Sequence, residues 1–92
     1  MKYPFTQLNI SKKAFLRRFE EDSPQEELYW HRDKRDREIT VLSGEGWMYQ
    51  EEDSLPIKVA AGDSFLIKAE TWHRIIKGST PLSILVEERH EQ

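Results

Sequence analysis

The sequence predicts an all-β domain in which about eight short strands close into a barrel or a sandwich. From residue 27 onward, short runs rich in Val, Ile, Leu and aromatic residues alternate with turns that contain Gly, Pro, Asp and Ser. Many short strands with frequent turn signals are typical of antiparallel barrels and sandwiches. The chain has 92 residues, which is the size of one domain.

The first 26 residues form the least regular part of this pattern. Ser11 could cap a short helix over residues 12–21, because apolar residues recur there at helical spacing. The same stretch is also compatible with a strand that carries Phe15, Arg17 and Phe19 on one face. We favour a strand or an extended arm, since every later element has the periodicity of a strand.

The strand pattern then continues to residue 88. The predicted strands cover residues 28–33, 37–42, 47–51, 57–59, 65–67, 72–77 and 82–87. We therefore divide the single domain into an N-terminal arm with a first strand (1–26), a barrel core (27–88) and a charged C-terminal tail (89–92).

Composition excludes several classes of function. The chain has no cysteine, so it has no disulfide, no zinc–thiolate site and no thiol nucleophile. No apolar stretch approaches the ~20 residues of a membrane-spanning helix, and the N-terminus lacks the apolar run of a signal peptide. A net charge of -3 argues against nucleic acid as a partner. We expect a cytoplasmic protein that binds neither nucleic acid nor a membrane.

The strongest functional signal comes from His31, Asp33 and His73. Side chains at positions i and i+2 of a strand share a face, so His31 and Asp33 emerge together. If His73 lies on a neighbouring strand, two imidazoles and one carboxylate converge on the same cavity. Such a group suits a divalent metal, or binding and acid–base chemistry on a small ligand.

The register of the following strand decides which side chain joins this group. Ile39 and Val41 form its apolar face, and alternation places Arg37 on that face and Glu38 on the other. Glu38 becomes a metal ligand only if a bulge shifts the register. Otherwise Arg37 lies at the site, where its guanidinium repels a metal and pairs with Asp33 or grips a carboxylate or phosphate.

Residues 28–88 resemble the cupin superfamily of small, single-domain, RmlC-like jelly-roll barrels. The first family motif has two histidines one residue apart, then a glutamate, then a glycine that ends the strand. His31 matches the first histidine, Asp33 occupies the second position and Gly44 matches the glycine. Counting back from Gly44 by the usual family interval reaches Arg37 rather than Glu38.

The second family motif is also present. It begins with Gly-Asp, here Gly62-Asp63, and runs through an apolar strand to a Pro-x-Gly-x-x-His turn. Residues 68–73 match that turn and retain its histidine, but Lys68 and Glu70 replace the proline and the glycine.

The resemblance implies a single cupin-type jelly-roll β-barrel, or double-stranded β-helix, that binds a small polar or anionic ligand inside. His31, Asp33 and His73 would hold Fe, Mn, Ni or Zn, although the sequence is equally compatible with no metal. Whether the protein is an enzyme stays open; an enzyme would resemble metal-dependent dioxygenase or isomerase cupins. The alternatives are a metal-free sequestering or sensor protein that uses Arg37, and a metal-independent sugar-type epimerase or isomerase.

Five residues are candidate ligand contacts. Two are arginines that could hold an anionic group, and three lie on the aromatic-rich strand that follows the turn at residues 43–46. They are Arg35, Arg37, Trp47, Tyr49 and Gln50.

A second copy of the chain is the expected macromolecular partner. A domain of this size buries a modest core, so association would stabilise it. Apolar side chains are expected on outward positions at Trp30, Leu42, Trp72 and Ile76. These observations predict a homodimer.

Overall fold

Eight β-strands and no helix make up residues 5–23 and 28–89, the part of the chain that the computed structural model describes. The strands are β1 (Phe5–Asn9), β2 (Ala14–Phe19), β3 (Arg37–Ser43), β4 (Met48–Glu51), β5 (Ile57–Lys58), β6 (Ser64–Ile67), β7 (His73–Ile76) and β8 (Leu82–Glu88). They form two antiparallel sheets, of order β1-β2-β8-β3-β6 and β5-β4-β7. The predicted all-β jelly-roll fold is confirmed. No helix within these ranges could cross a membrane.

Alternation along the strands builds the interior. On β3, Ile39 and Val41 are buried, and the same periodicity on β8 buries Leu82, Ile84 and Val86. These strands pair directly, with Ile39 opposite Val86 and Val41 opposite Ile84. Two neighbouring rows of buried aliphatic side chains therefore form the wall that the large sheet contributes to the barrel interior.

The segment that could have been a helix is the strand β2. It pairs with β1 on one side and with β8 on the other, so Phe15 and Phe19 reach the core. Tertiary pairing decides the outcome here, since the local sequence suits both conformations. The boundary that we placed between residues 26 and 27 falls outside the described residues, as does most of the tail at 89–92.

The strand predicted over residues 28–33 is wrong. Its one backbone bridge among the described residues joins His31 to His73, and each donates its N–H to the other's carbonyl at 2.9 Å. Pairing cannot extend further because the chain before His73 turns, and Glu70 donates its N–H to the Asp33 carbonyl at 2.8 Å. The segment is thus an extended loop that is fixed at two points.

Candidate functional site

A cavity of about 430 Å³ lies between the two sheets. Its volume falls within the range of roughly 300–1,000 Å³ that is usual for small-molecule sites. Most of its wall is aliphatic and aromatic, and its polar members come from the loop at 28–33 and from the strands β2, β3, β4 and β7. The lining residues are Phe5, Arg17, Phe19, Leu28, Tyr29, His31, Asp33, Arg37, Ile39, Val41, Tyr49, Val59, Phe65, Ile67, His73, Ile75, Leu82, Ile84 and Val86.

His31, Asp33 and His73 converge on this cavity, and they form a group that could hold a metal ion. One ligand atom from each residue lies within 4.8 Å of the others. The backbone bridge between the two histidines brings their rings to 4.3 Å, centroid to centroid. Two imidazoles and one carboxylate that leave coordination positions open are typical of non-haem iron sites and suit other divalent metals.

Backbone carbonyls orient both imidazoles. His31 Nδ1 lies 3.0 Å from the carbonyl oxygen of Tyr29, and His73 Nδ1 lies 2.8 Å from that of Thr71. Because a carbonyl oxygen only accepts, each Nδ1 carries the hydrogen, and in the neutral ring the lone pair remains on Nε2. The same second contact orients metal-ligating histidines in proteins generally.

When the His73 ring is neutral, no hydrogen lies between His73 Nε2 and the Asp33 carboxylate. Asp33 Oδ2 is buried and has no hydrogen-bond partner among residues 5–23 and 28–89, and it lies 3.4 Å from His73 Nε2. Burial is the largest effect and lowers the pKa of His73, and His31 and Arg37 lower it further. The bond to the Thr71 carbonyl and the charge of Asp33 act on this pKa in the opposite direction without reversing the net shift. At neutral pH two acceptor atoms therefore face each other, and a cation between them would satisfy both.

Arg37 lies on the cavity side of β3, as alternation predicts. Its Nε and one terminal nitrogen donate to Glu88 Oε2 at 3.0 and 2.8 Å, and the other terminal nitrogen lies 3.4 Å from Asp33 Oδ1. Glu88 thereby offsets much of the guanidinium charge, which otherwise would repel a metal at Asp33.

Glu38 does not join the group. The one irregularity in the pairing of β3 with β8 lies between Val41 and Ser43, so no bulge shifts the register at Glu38. Its carboxylate instead accepts hydrogen bonds from Arg89 at 3.0 Å and Ser64 at 3.2 Å on the outer side of the sheet.

Of the other candidate ligand contacts, only Tyr49 lines the cavity. Its hydroxyl donates to Glu51 at 2.9 Å. Gln50, the next residue on β4, lies on the opposite face and accepts a bond from Arg74. Trp47 is completely buried and donates to the Thr80 carbonyl, while Arg35 is exposed in a loop. The structure thus does not bring Trp47, Gln50 or Arg35 to the site. Gln50 is adjacent to Tyr49 and therefore faces the other side of β4, whereas Trp47 precedes β4 and packs in the core, and Arg35 lies outside the strands.

Arg17 is the lining residue that sequence reasoning missed. It extends from β2, and its guanidinium carbon lies over the rings of Phe5 and Phe15, 4.0 and 4.8 Å from their centroids. Burial lowers the pKa of Arg17 to about 10, and the neighbouring Arg37 contributes, while Asp33 and Glu88 raise it. Its place on one strand face with Phe15 and Phe19 was the available signal.

The departure from the family motif at Glu70 has a structural counterpart. Glu70 has a φ of 65°, in the left-handed region that glycine adopts without strain. Its N–H bond to Asp33 and the 3.3 Å contact between its carboxylate and Arg32 hold this conformation. The turn thus keeps the geometry that the motif glycine would provide and places His73 beside Asp33.

Comparisons with known proteins agree with this fold. A family model described as the cupin domain matches residues 18–86. A search of curated proteins found no match. Similar solved structures include a putative mannose-6-phosphate isomerase from Ralstonia eutropha JMP134, with a TM-score of 0.68 and 24% identity over 95% of this chain and 83% of that one.

Two further structures lead to the same conclusion about the fold. An RmlC-like cupin family protein from Methanocaldococcus jannaschii has a TM-score of 0.69 and 16% identity over 94% of this chain and 79% of that one. A cupin domain from Bordetella pertussis Tohama I has a TM-score of 0.64 and 15% identity over 98% and 99%. At these identities the likeness concerns the fold.

Proposed function

Because the chain belongs to the cupin domain family, we propose that it binds a small polar or anionic ligand inside the barrel through a divalent metal. His31, Asp33 and His73 would hold the metal. The observation that carries this proposal is the buried Asp33 Oδ2, which has no hydrogen-bond partner in the described part of the chain and lies 3.4 Å from His73 Nε2. An unsatisfied buried acceptor costs free energy, and a shared cation removes that cost.

The donor set fits Fe, Mn, Ni or Zn. It contains two imidazole nitrogens and one carboxylate, which are ligands of all four cations, and no thiolate that would favour a softer metal. A bound metal of this kind acts as a Lewis acid with open positions for a ligand. The chain itself orients both rings through backbone carbonyls and surrounds the group with a largely apolar wall.

Metal content tests the proposal directly. Protein purified without an affinity tag would be analysed for bound elements and titrated calorimetrically with Fe²⁺, Mn²⁺, Ni²⁺ and Zn²⁺. We expect one metal per chain, and we expect binding to be lost in the His31→Gln variant, because His31 is exposed and can be changed without disturbing the core. The control Asp22→Asn changes an exposed residue and should bind like the wild type. Absence of binding by all four cations would overturn the proposal.

A second candidate is metal-free binding of an anion by the arginines of the cavity. The observation that favours it is the position of Arg37, which lies 3.4 Å from Asp33 Oδ1. The part of the guanidinium charge that Glu88 does not offset would repel a metal bound to Asp33. Arg37→Glu distinguishes the two candidates. Metal binding that appears only in this variant would show that the wild-type cavity works without a metal. The protein would then be a sequestering or sensor protein, or a metal-independent epimerase or isomerase.

We also propose a homodimer that forms through the outer face of the large sheet. Leu8, Leu16 and Leu85 are direct cross-strand neighbours on this face, and Leu8 is 65% exposed. Arg18 lies on one side of this row and Glu87 on the opposite side, each two residues along its strand. A two-fold axis through the row would place Arg18 of one copy near Glu87 of the next, so the face is complementary to itself.

The outward residues that suggested a dimer from the sequence do not share one surface. Leu42 is 48% exposed on the large sheet. Trp30 and Trp72 flank the bridge between the two histidines, and the guanidinium groups of Arg74 and Arg32 lie over their rings. One two-fold interface through the large sheet would therefore include Leu42 and leave both tryptophans outside.

Light scattering at micromolar concentration tests this dimer. We expect the wild type to have twice the mass of the 11.0 kDa chain. The Leu85→Glu variant should have the mass of one chain. The control Leu55→Glu introduces the same charge at a residue that is 85% exposed in a loop and should remain dimeric. A wild-type mass of one chain would show that the proposed dimer does not form.

A further inference from the structure

Among the described residues, Arg17 is a cavity cation that has no carboxylate partner. Within residues 5–23 and 28–89, its Nε donates to Gln7 Oε1 at 2.8 Å, and no carboxylate lies within ion-pair distance of its guanidinium. The rings of Phe5 and Phe15 hold the guanidinium plane by cation–π contact. By contrast, Arg37 has Glu88 as a close partner.

The surroundings of Arg17 make it a receptor for an anion. Its charged form loses part of its solvation in the cavity, and this burial lowers its pKa to about 10. Asp33, Glu88 and Arg37 are close enough to act on it electrostatically. Without a metal, the charges of these four side chains cancel; with a divalent cation on Asp33, the cavity carries an excess of positive charge. An anionic group between the cation and Arg17 would offset that excess.

The remainder of the wall decides the kind of anion. Beyond the polar groups already described, the lining is aliphatic or aromatic, and Phe19, Val41, Ile84 and Val86 are typical members. The described lining residues offer no further cation to a phosphate, which carries up to two charges and three acceptor oxygens. A planar guanidinium fork matches a carboxylate with two parallel hydrogen bonds.

We propose that Arg17 holds the carboxylate of a small, largely apolar organic acid whose body fills the apolar part of the barrel. This inference rests on the proposed function, because the metal at His31, Asp33 and His73 supplies the charge that the acid neutralises. Arg17 is a specificity-determining residue in this arrangement, and it selects an acid over a neutral molecule of the same shape.

Calorimetric titration of the untagged, metal-loaded protein with three probes tests the inference. Benzoate has both a carboxylate and an apolar ring, benzamide has the same shape without charge, and acetate lacks the ring. We expect benzoate to bind more tightly than either by roughly tenfold to a hundredfold, the effect of a charge-assisted hydrogen-bond pair or of burying a ring. Equal affinity for benzoate and benzamide, or no benzoate binding at millimolar concentration, would overturn the inference.

Two substitutions on adjacent residues of β2 identify the receptor. Arg17→Gln should weaken benzoate binding by roughly tenfold to a hundredfold and leave benzamide unaffected. The control Arg18→Gln removes the same charge from the outer face, where Arg18 contacts Glu20, and should bind like the wild type. If Arg17→Gln does not fold, Arg17→Lys replaces it, with an expected loss of about tenfold because an ammonium lacks the planar fork.

Metal binding by the same variants separates this inference from the proposed function. Arg17→Gln and Arg17→Lys should bind Ni²⁺ at least as tightly as the wild type, because they keep the three metal ligands and reduce the nearby positive charge. If these variants bind Ni²⁺ normally and keep the benzoate affinity of the wild type, the role of Arg17 is refuted and the metal site is not. No Ni²⁺ binding by the wild type, with benzoate binding still dependent on Arg17, would refute the metal site and support the receptor.

Discussion

Replacement of Asp33 by Asn should have opposite effects on the metal-free and metal-bound protein. In the metal-free protein, Asp33 Oδ2 and His73 Nε2 are two acceptors at 3.4 Å, while Oδ1 lies 3.4 Å from Arg37. An amide at this position would donate its N–H to His73 and accept from Arg37 through its oxygen. The substitution therefore satisfies the contact that the carboxylate leaves unsatisfied.

The size of the effect in the metal-free protein follows from these contacts. Satisfying a buried acceptor removes a cost of about 1–3 kcal/mol, while loss of the 3.4 Å ion pair with Arg37 destabilises the variant by up to about 1 kcal/mol. We expect Asp33→Asn to raise the free energy of unfolding by about 1 kcal/mol, which raises Tm by about 4–8 °C in a domain of this length.

Metal reverses the order of stability. At a concentration one hundred times its Kd, a metal stabilises the wild type by about 2.7 kcal/mol, or roughly 10–20 °C in Tm. An amide is a poor substitute for a carboxylate ligand. If Kd rises about a hundredfold, the same concentration gives Asp33→Asn about 0.4 kcal/mol. Thermal unfolding with and without Ni²⁺, followed by circular dichroism, measures all four states.

Two outcomes would refute this reasoning. One is a metal-free Asp33→Asn variant that is less stable than the wild type by 1 kcal/mol or more, which would show that Oδ2 is well satisfied in solution. The other is an equal metal-induced shift in both proteins, which would place the metal elsewhere. The control Asp22→Asn, at an exposed residue, should change neither quantity.

Arg37→Met should lower the free energy of unfolding by about 2–4 kcal/mol, because it leaves two carboxylates without their cation in a site that is only 15–18% exposed. Chemical denaturation measures this loss, and the exposed control Arg89→Met should lose at most about 1 kcal/mol. Burial and the hydrogen bond to a glutamate raise the pKa of Tyr49 well above its usual range, so Tyr49→Phe should leave the ultraviolet titration of tyrosine unchanged between about pH 9 and pH 11. A smaller absorbance change in that variant would show that the phenol ionises. Glu70→Gly should raise Tm, since glycine removes about 1 kcal/mol of left-handed backbone strain. Lys68→Gly in the same turn should lower Tm, and an equal fall of Tm in both variants would show that Glu70 is not strained.

The family and much of the site were predictable from local spacing. Turn residues and period-two alternation predicted most of the strands, and the order of His31, Asp33, Gly44 and the second motif indicated a cupin, which the family match confirms. Alternation alone also placed Arg37 on the inner face of β3 and Glu38 on the outer face. These features depend on neighbours within a few residues, and the sequence contains that information.

Other features depended on residues far apart in the chain. The aromatic pattern at residues 28–33 suggested a strand, but the turn before His73 leaves only one backbone bridge there. Arg17 had a visible place on an apolar face, yet only the pairing of β2 with β8 brings it within reach of Asp33. Long-range pairing is a property of the whole sheet, so no local pattern contained it.

By itself, the sequence determined the strand periodicity, the family and the three side chains that could bind a metal, because each of these follows from spacing along the chain. Only the tertiary structure decided their electrostatic setting. It paired Arg37 with Glu88, left Asp33 Oδ2 facing His73 Nε2 and placed Arg17 in the cavity without a carboxylate partner among the described residues. The physical reason is that charge and solvation at a buried site depend on distances between strands, which spacing along the chain does not specify.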